Sequence, residues 1–528
     1  MLDRERVAQK RRRLVVDARR RQLARQLIPQ RPELGRDQAP ELRHLPLRQL
    51  DVRERPGQQL LALRQGGQHA RQHPDGLQVL ADLVAQRPLG VGDGTSSAID
   101  TVTVTVEANR TPLADAGPDQ TVQEHGAALL REGCLEAFGD QAREAARAAG
   151  IGSTAAGHQL LAPCLVDVHS LLPEPFQGQG ETLESLVRSA AAGGYGQLAL
   201  LPEASGNRRE LPDRLRGFQR SDCDVAVHLW GGFSQGGQGE QLTPHADLID
   251  AGAIGLSDGN SMPPVPLLDR ALTLGESGAS PVLIPPLDAV LRGEGLLREG
   301  PEALRAGWPT DPLSSETLPL SQLAQLQQEH PERKLTLMGL STAAGVGLLK
   351  QLSLRPAATV SWWHVLTCNS SSAATAASWF VSPSLGNRRD RDALIKGLSE
   401  GLIQAIAVHA SPLDDEECLL PPDQRQRGIA GHQHVLPSLW QTLVVSSGWT
   451  AEQLWDVLSF GPSRLLGVEE ERLSQGSNRW LLFDPDVIWT PTRSDPWASQ
   501  AANQPCLDQP LSGRVVQCGI RTPACPAD

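Results

Sequence analysis

The sequence predicts an α/β protein whose main body is a (β/α)8 barrel of the TIM type. A small flanking β-sheet is built from both ends of that body, and an irregular N-terminal extension precedes it. Three observations carry this reading. Between residues 163 and 474, short apolar runs alternate with amphipathic helical segments. Those runs are apolar throughout rather than at every second position, the pattern of parallel strands covered on both faces. Strand patterns without intervening helices return at 127–162 and at 475–522, on either side of the alternation. The chain therefore divides into 1–126, a body at 163–474, and a flanking unit made of 127–162 with 475–522.

Residues 1–98 are rich in Arg, Gln, Leu and Pro, with interrupted helical periodicity and no clear core. The first hundred residues hold 19 Arg and Lys against 12 Asp and Glu, whereas the whole chain carries −12. A basic arm on an acidic body suits nucleic-acid contact or a solvated helix face. The arm has no aromatic residue to stack on bases, which argues against nucleic acid. "TVTVTV" at 101–106 alternates as a strand does. The following "NRTPLADAGPDQTV" resembles the start of a polycystic-kidney-disease-type immunoglobulin-like repeat, over too few residues for a seven-stranded sandwich.

From residue 127 the elements follow one another closely. "AALLREGCLEAFGD" predicts two short strands about a Gly turn, and "HQLLAPCLVDVH" a single buried strand. "ETLESLVRSAAAGG" predicts a helix closed by Gly, leading into the strand "YGQLALLPEA". The same helix-then-strand unit recurs in "ADLIDAG" with "AIGLSDG", and in "PLLDRALTLGESG" with "SPVLIPP". It recurs again in "LPLSQLAQLQQEHPER" with "KLTLMGLS", and in "DALIKGLSEGL" with "IQAIAVHASP". "RWLLFDPDVIWT" and "LSGRVVQCGI" return to strand pattern. No apolar run approaches 18 residues, so no membrane span is expected. The basic N-terminus has no apolar core, so it is not a secretory signal. Eight scattered cysteines without a CxxC pair fit reduced thiols in the cytoplasm.

The chemistry-bearing stretch is "LVDVHSLLPEPF", residues 165–176. A buried strand opens there, with Asp167, His169 and Glu174 as its possible metal ligands. It resembles the Asp-x-His-x-His-Leu-Arg-Glu-Pro-Gly strand end of the dihydroorotase branch of the cyclic amidohydrolases. "AGAIGLSDG", "LSTAAGV", "IQAIAVHASP", "GIAGHQHVLP" and "LSFGPSRLLGV" match further segments of that family in order, over about residues 127–522. The resemblance implies the interconversion of carbamoyl aspartate and dihydroorotate. A divalent ion, usually zinc, polarises the amide carbonyl and activates water, and an Asp shuttles protons.

Compared with that pattern, His169 keeps the first histidine, while Leu171 stands where the second belongs. Pro173 occupies the position of the substrate-binding Arg, Glu203 that of the Asn in Met-Pro-Asn-Thr, and Ser382 that of a second substrate Asn. Pro285 and Gly339 replace two further histidines, and His409 falls on the catalytic Asp. No lysine lies between Lys10 and Lys334, so the carboxylated lysine of some relatives has no counterpart on the early strands. Hydrocarbon side chains have no lone pairs for a metal. His169, His409 and Asp258 remain as a minimal ligand set, with His364 beside Trp362 and Trp363 near the same mouth. Each of these has a bland alternative as a packed or turn-capping residue, as do the tryptophans, Trp379 included.

Three functions follow from the resemblance. The first is a barrel that has lost catalysis and its zinc, and that serves as an assembly or regulatory partner. Aspartate transcarbamoylase or a second copy of the chain is then the expected companion. The second is an active cyclic amidohydrolase with a minimal metal site. The third is a module whose refilled pocket binds a different small molecule.

Overall fold

In the computed structural model, Leu165–Ser170 is a strand with every residue buried, as its unbroken apolar run requires. The structure describes residues 101–105, 127–131, 133–202, 209–216, 223–370, 380–421 and 424–522. The basic arm, the immunoglobulin-like stretch from residue 106, Glu203 and Trp379 lie outside the described residues.

Leu165–Ser170 pairs in parallel with Tyr195–Leu200, which pairs in parallel with Ala226–Leu229. A second parallel sheet runs in chain order through Gly231–Gly232, Leu256–Ser257, Val282–Ile284, Leu335–Leu337, Ala357–Ser361 and Ala405–Ala407. The sequence predicts one barrel ladder, but the described hydrogen bonding divides into these two sheets, of three and six strands. The division falls at Trp230, between Leu229 and Gly231. There the chain leaves one ladder and enters the next, donating from Trp230 to the Leu200 carbonyl and from Gly231 to the Gly255 carbonyl. At the far edges, His409 N–H donates to the His169 carbonyl (3.0 Å) and Leu171 N–H to the Ala410 carbonyl (2.6 Å).

The helices fall where the periodicity places them, with Ala343–Gln351 an addition that the sequence reading does not contain. Leu183–Ala192 starts at Thr182, whose hydroxyl accepts from Ser185 N–H, an ordinary N-cap. It ends at Gly193, where a Cβ would lie 2.6 Å from the His432 carbonyl oxygen, so the close helix approach needs glycine there. His245–Asp250, Val265–Leu274, Ser314–Glu329, Ala343–Gln351 and Arg388–Ser399 follow, each leading into the next strand. Successive strand residues divide between two cores. Leu165, Leu198, Val282 and Ile284 pack with helix side chains, while Val166, Val168, Ala199, Trp230, Leu283, Ala405 and Ala407 form a separate cluster on the other face. Both faces of the parallel strands are therefore dry, as the uninterrupted apolar runs require.

The flanking region departs from expectation in three places. "HQLLAPCLVDVH" is two strands, Leu160–Pro163 and Leu165–Ser170, broken at Cys164. The first pairs antiparallel with Trp480–Trp489, which pairs with Leu511–Cys518. Thr101–Thr105 pairs with Ala127–Arg131, so a boundary at residue 126 cuts through a sheet. Gly139–Ala148 is a helix that the strand reading does not contain; its Ala142 and Ala146 bury against Ala127, Leu129 and Ala137. The two flanking sheets meet at Trp480, whose indole N–H donates to the Gly133 carbonyl. Among the described residues no helix is long and apolar enough to cross a membrane.

Candidate active site

His169 stands near the C-terminal end of the first parallel strand and His409 just beyond the last, Ala405–Ala407. His409 has φ of 50°, in the left-handed region, where His, Asn and Asp are the more tolerated non-glycine residues. That backbone turn brings the two imidazoles together, with Nδ1 to Nδ1 3.0 Å and the rings edge to face at 4.9 Å between centroids. His169 Nε2 lies 2.9 Å from Thr359 Oγ1 on the neighbouring strand, and Gly339 N–H donates to the same hydroxyl at 2.9 Å.

The Thr359 hydroxyl reaches both His169 Nε2 and the Leu337 carbonyl, the latter at 3.4 Å. In one assignment of protons, Gly339 N–H donates to Thr359, the Thr359 hydroxyl donates to His169 Nε2, and His169 Nδ1–H donates to His409 Nδ1. The remaining N–H of His409 donates to the Ser382 carbonyl. Both rings are neutral in it. Burial, and then the adjacent His409, push His169 well below the ordinary imidazole range. Burial likewise pushes His409 down to about 4, against smaller upward pulls from Asp167 and the Ser382 carbonyl.

Asp167 does not join this pair. Its Oδ1 accepts from Val408 N–H (2.9 Å), and its Oδ2 accepts from Ser170 Oγ (2.5 Å) and from His432 Nε2 (3.1 Å). Ser170 Oγ in turn accepts from Ala410 N–H at 2.9 Å. The carboxylate therefore ties the first strand to the last and leaves few lone pairs for a metal. Asp258 stands elsewhere, held by Ser234 N–H (3.0 Å) and Ser234 Oγ (2.5 Å). The ligand atoms of His169, His409 and Asp258 do not all lie within 4.8 Å of one another. Among the described residues, the only group of three or more His, Cys, Asp and Glu side chains close enough to share an ion is Asp269, Glu329 and His330, on the outer helices.

The remaining candidate positions are placed as follows. Leu171 is half-buried and Pro173 exposed, while Pro285 is buried directly after Val282–Ile284. Gly339 has φ of 74°, in the left-handed region that glycine enters freely, and lies beside Pro383. Ser382 is half-buried and offers its backbone carbonyl to His409. His364 is buried against the Pro383 carbonyl (Nε2 to O 3.1 Å), and burial pushes it down to about 3. Trp362 is buried and stacks edge to face with Trp363, so these indoles pack against each other.

Sequence reasoning missed two residues of this site, Thr359 and His432. Thr359 is indistinguishable from a strand-forming β-branched residue in "AATVS". His432 lies in a matched segment, "GIAGHQHVLP", which does not say which of its two histidines reaches Asp167.

Zinc needs at least three converging ligands, each with a free lone pair. Here His169 Nε2 faces the Thr359 hydroxyl, which also reaches the Leu337 carbonyl, and His169 Nδ1 faces His409 Nδ1. No third His, Cys, Asp or Glu ligand atom converges on the pair among the described residues.

The arrangement of parallel strands and covering helices is that of the hydantoinases. An L-hydantoinase from Arthrobacter aurescens superposes with a TM-score of 0.61 at 18% identity, covering 76% of this chain and 92% of the other. A D-hydantoinase gives 0.61 at 16% identity, covering 79% and 94%. No family model matches the chain. A dihydroorotase-like protein of Synechocystis sp. is 37% identical over 391 residues, 68% of this chain and 87% of its own length. A dihydroorotase-like protein of Pseudomonas aeruginosa is 29% identical over 398 residues, and a dihydroorotase of Pelobacter propionicus 28% identical over 413. The chain belongs to the dihydroorotase-like family of cyclic amidohydrolases.

Proposed function

We propose that this chain is a dihydroorotase-like protein that does not open or close cyclic amides, and that it acts in the cytoplasm as an assembly or regulatory partner. One observation carries the reading: the two imidazoles at the strand ends lie against each other and against Thr359, and no third His, Cys, Asp or Glu ligand atom joins them among the described residues. Leu171, Pro285 and Gly339, at the positions of three family histidines, add no donor side chain. Pro173 removes the guanidinium that would grip a substrate carboxylate. In this reading the two parallel sheets are two arcs of one eight-stranded barrel, with Ala226–Leu229 and Gly231–Gly232 counted as one strand continuous through Trp230. The backbone bonds between His409 and His169 and between Leu171 and Ala410 form its seam. The family relation makes aspartate transcarbamoylase the first companion to test, with a second copy of the chain as the other.

The test is turnover together with association. Purified full-length protein supplied with zinc is expected to hydrolyse dihydroorotate no faster than a protein-free control, and to co-elute with aspartate transcarbamoylase from the same cells. Turnover abolished by a chelator would refute the loss of catalysis. Elution as an isolated monomer would refute the assembly role.

A further inference from the structure

Two outer helices of the body meet at a group of metal-ligating side chains that the strand-end chemistry does not use. Asp269 belongs to helix Val265–Leu274, Glu329 is the last residue of helix Ser314–Glu329, and His330 caps that helix. One donor atom from each, an imidazole nitrogen and two carboxylate oxygens, lies within 4.8 Å of the other two. His330 Nε2 is 2.9 Å from Asp269 Oδ1, across 61 positions of sequence. Donors around a tetrahedral zinc are about 3–3.5 Å apart, so small side-chain rotations close this group around an ion.

The backbone sets the two consecutive ligands in place. Adjacent residues of a helix diverge by about 100°. His330 leaves helical geometry, with φ of −123° and ψ of 65°, and this lets both Glu329 and His330 reach Asp269. The turn is pinned: His330 N–H donates to the Leu326 carbonyl at 2.9 Å. Buried Gln327 donates through Nε2 to the carbonyls of His330 (3.1 Å) and Arg333 (2.9 Å).

The two carboxylates lack a cation. Among the described residues neither Asp269 nor Glu329 pairs with Arg or Lys. Glu329 Oε1 accepts from the neutral Gln325 amide at 2.8 Å. Arg333 is engaged elsewhere, by Glu332 and the Leu272 carbonyl. The negative end of the 16-residue helix adds to the field of the carboxylates. The group is open to solvent, with 14% of the His330 side chain and 51% of that of Asp269 exposed. Its imidazole distinguishes it from an acidic patch: calcium and magnesium prefer oxygen shells, whereas zinc-class ions take nitrogen.

We propose that Asp269, Glu329 and His330 bind one divalent ion of the zinc class, with water completing its shell, and that the ion fastens helix Val265–Leu274 to the end of helix Ser314–Glu329. The site shares no residue with His169 and His409, so it is independent of whether the chain has lost catalysis.

Calorimetric titration of zinc chloride into chelator-treated, full-length protein tests this. Saturable uptake of one ion per chain is expected, with a melting temperature that rises as zinc is added. Asp269→Asn and His330→Ala should each weaken uptake at least tenfold and remove the rise, and Glu329→Gln should weaken it as well. His158→Ala, at an exposed imidazole–carboxylate pair with Asp486, should leave uptake unchanged. If one ligand variant lowers the melting temperature without zinc, the other two carry the test. Absence of saturable uptake, or uptake unaffected by the three variants, would overturn the proposal. So would uptake lost in His169→Ala but kept in His330→Ala, which would place the ion at the strand ends. Calcium binding as tightly as zinc would overturn the assigned metal class.

Discussion

Replacing Arg298 by methionine is expected to destabilise the protein by about 3–5 kcal/mol, the range for removing one partner of a buried ion pair. Arg298 is 1% exposed and lies between two buried carboxylates, Asp311 Oδ1 at 3.2 Å and Glu316 Oε2 at 3.3 Å. Its other bonds go to Ser315 Oγ (2.7 Å), Ser341 Oγ (2.9 Å) and the Pro312 carbonyl. Glu316 in turn accepts from Ser341 N–H, Ser341 Oγ and Thr342 Oγ1, and Thr342 caps helix Ala343–Gln351. Methionine fills much of the same volume but leaves two carboxylates facing each other away from water. The exposed pair Arg464–Asp456, at 2.6 Å, is the control: Arg464→Met should cost about 1 kcal/mol or less. Urea midpoints of the two variants measure the contrast. Equal losses would mean that burial does not set the strength of the Arg298 network.

Acidification is expected to have a comparably large effect. Burial holds His409 and His434 at about 4 and His364 at about 3, against about 6.5 in an unfolded chain. Depressed imidazole values mean that the unfolded state binds the extra protons. Stability is therefore full above pH 6.5 and is lost as pH falls from there toward 4. Each group contributes a loss on the order of 2 kcal/mol by pH 5, and the three together on the order of 6. That is a large part of the 5–15 kcal/mol typical of a folded domain. His169, shifted in the same direction, steepens the fall. Unfolding midpoints at pH 7.5, 6 and 5 check this. A flat profile would show that these imidazoles are charged, or reached by water, in the native state.

Much of the fold was legible because parallel strands advertise themselves. "LVDVH", "QLALL", "VLIPP" and "AIAVH" are apolar on both faces, and the Thr182 cap and the glycines after the helices mark where helices begin and end. The break at Cys164 was not legible, since apolar residues continue on either side of it and only the pairing partners change. Nor was the passage from one sheet to the next at Trp230, which is a matter of hydrogen-bond geometry. Helix Gly139–Ala148 escaped because its buried stripe consists of alanines, which carry little apolar contrast.

The site was legible by halves. His169 and His409 came from aligned segments, and the structure brings them into contact although 240 positions separate them. Asp258 came from the same alignment; it accepts from a serine 24 residues earlier and forms no three-ligand group with the histidines. The role of "LSTAAGV" changed most. Its Ser341 and Thr342 are partners of buried Glu316, so a stretch matched through family resemblance serves here to anchor a helix.

Zinc titration into chelator-treated, full-length protein tests the central claim most directly. His169 and His409 stand against each other and Thr359 with no third ligand atom converging on them among the described residues, so no tight stoichiometric binding is expected there. Binding that His169→Ala and His409→Ala leave unchanged would report the outer cluster of Asp269, Glu329 and His330. One zinc per chain, bound tightly and lost in both histidine variants, would contradict the account.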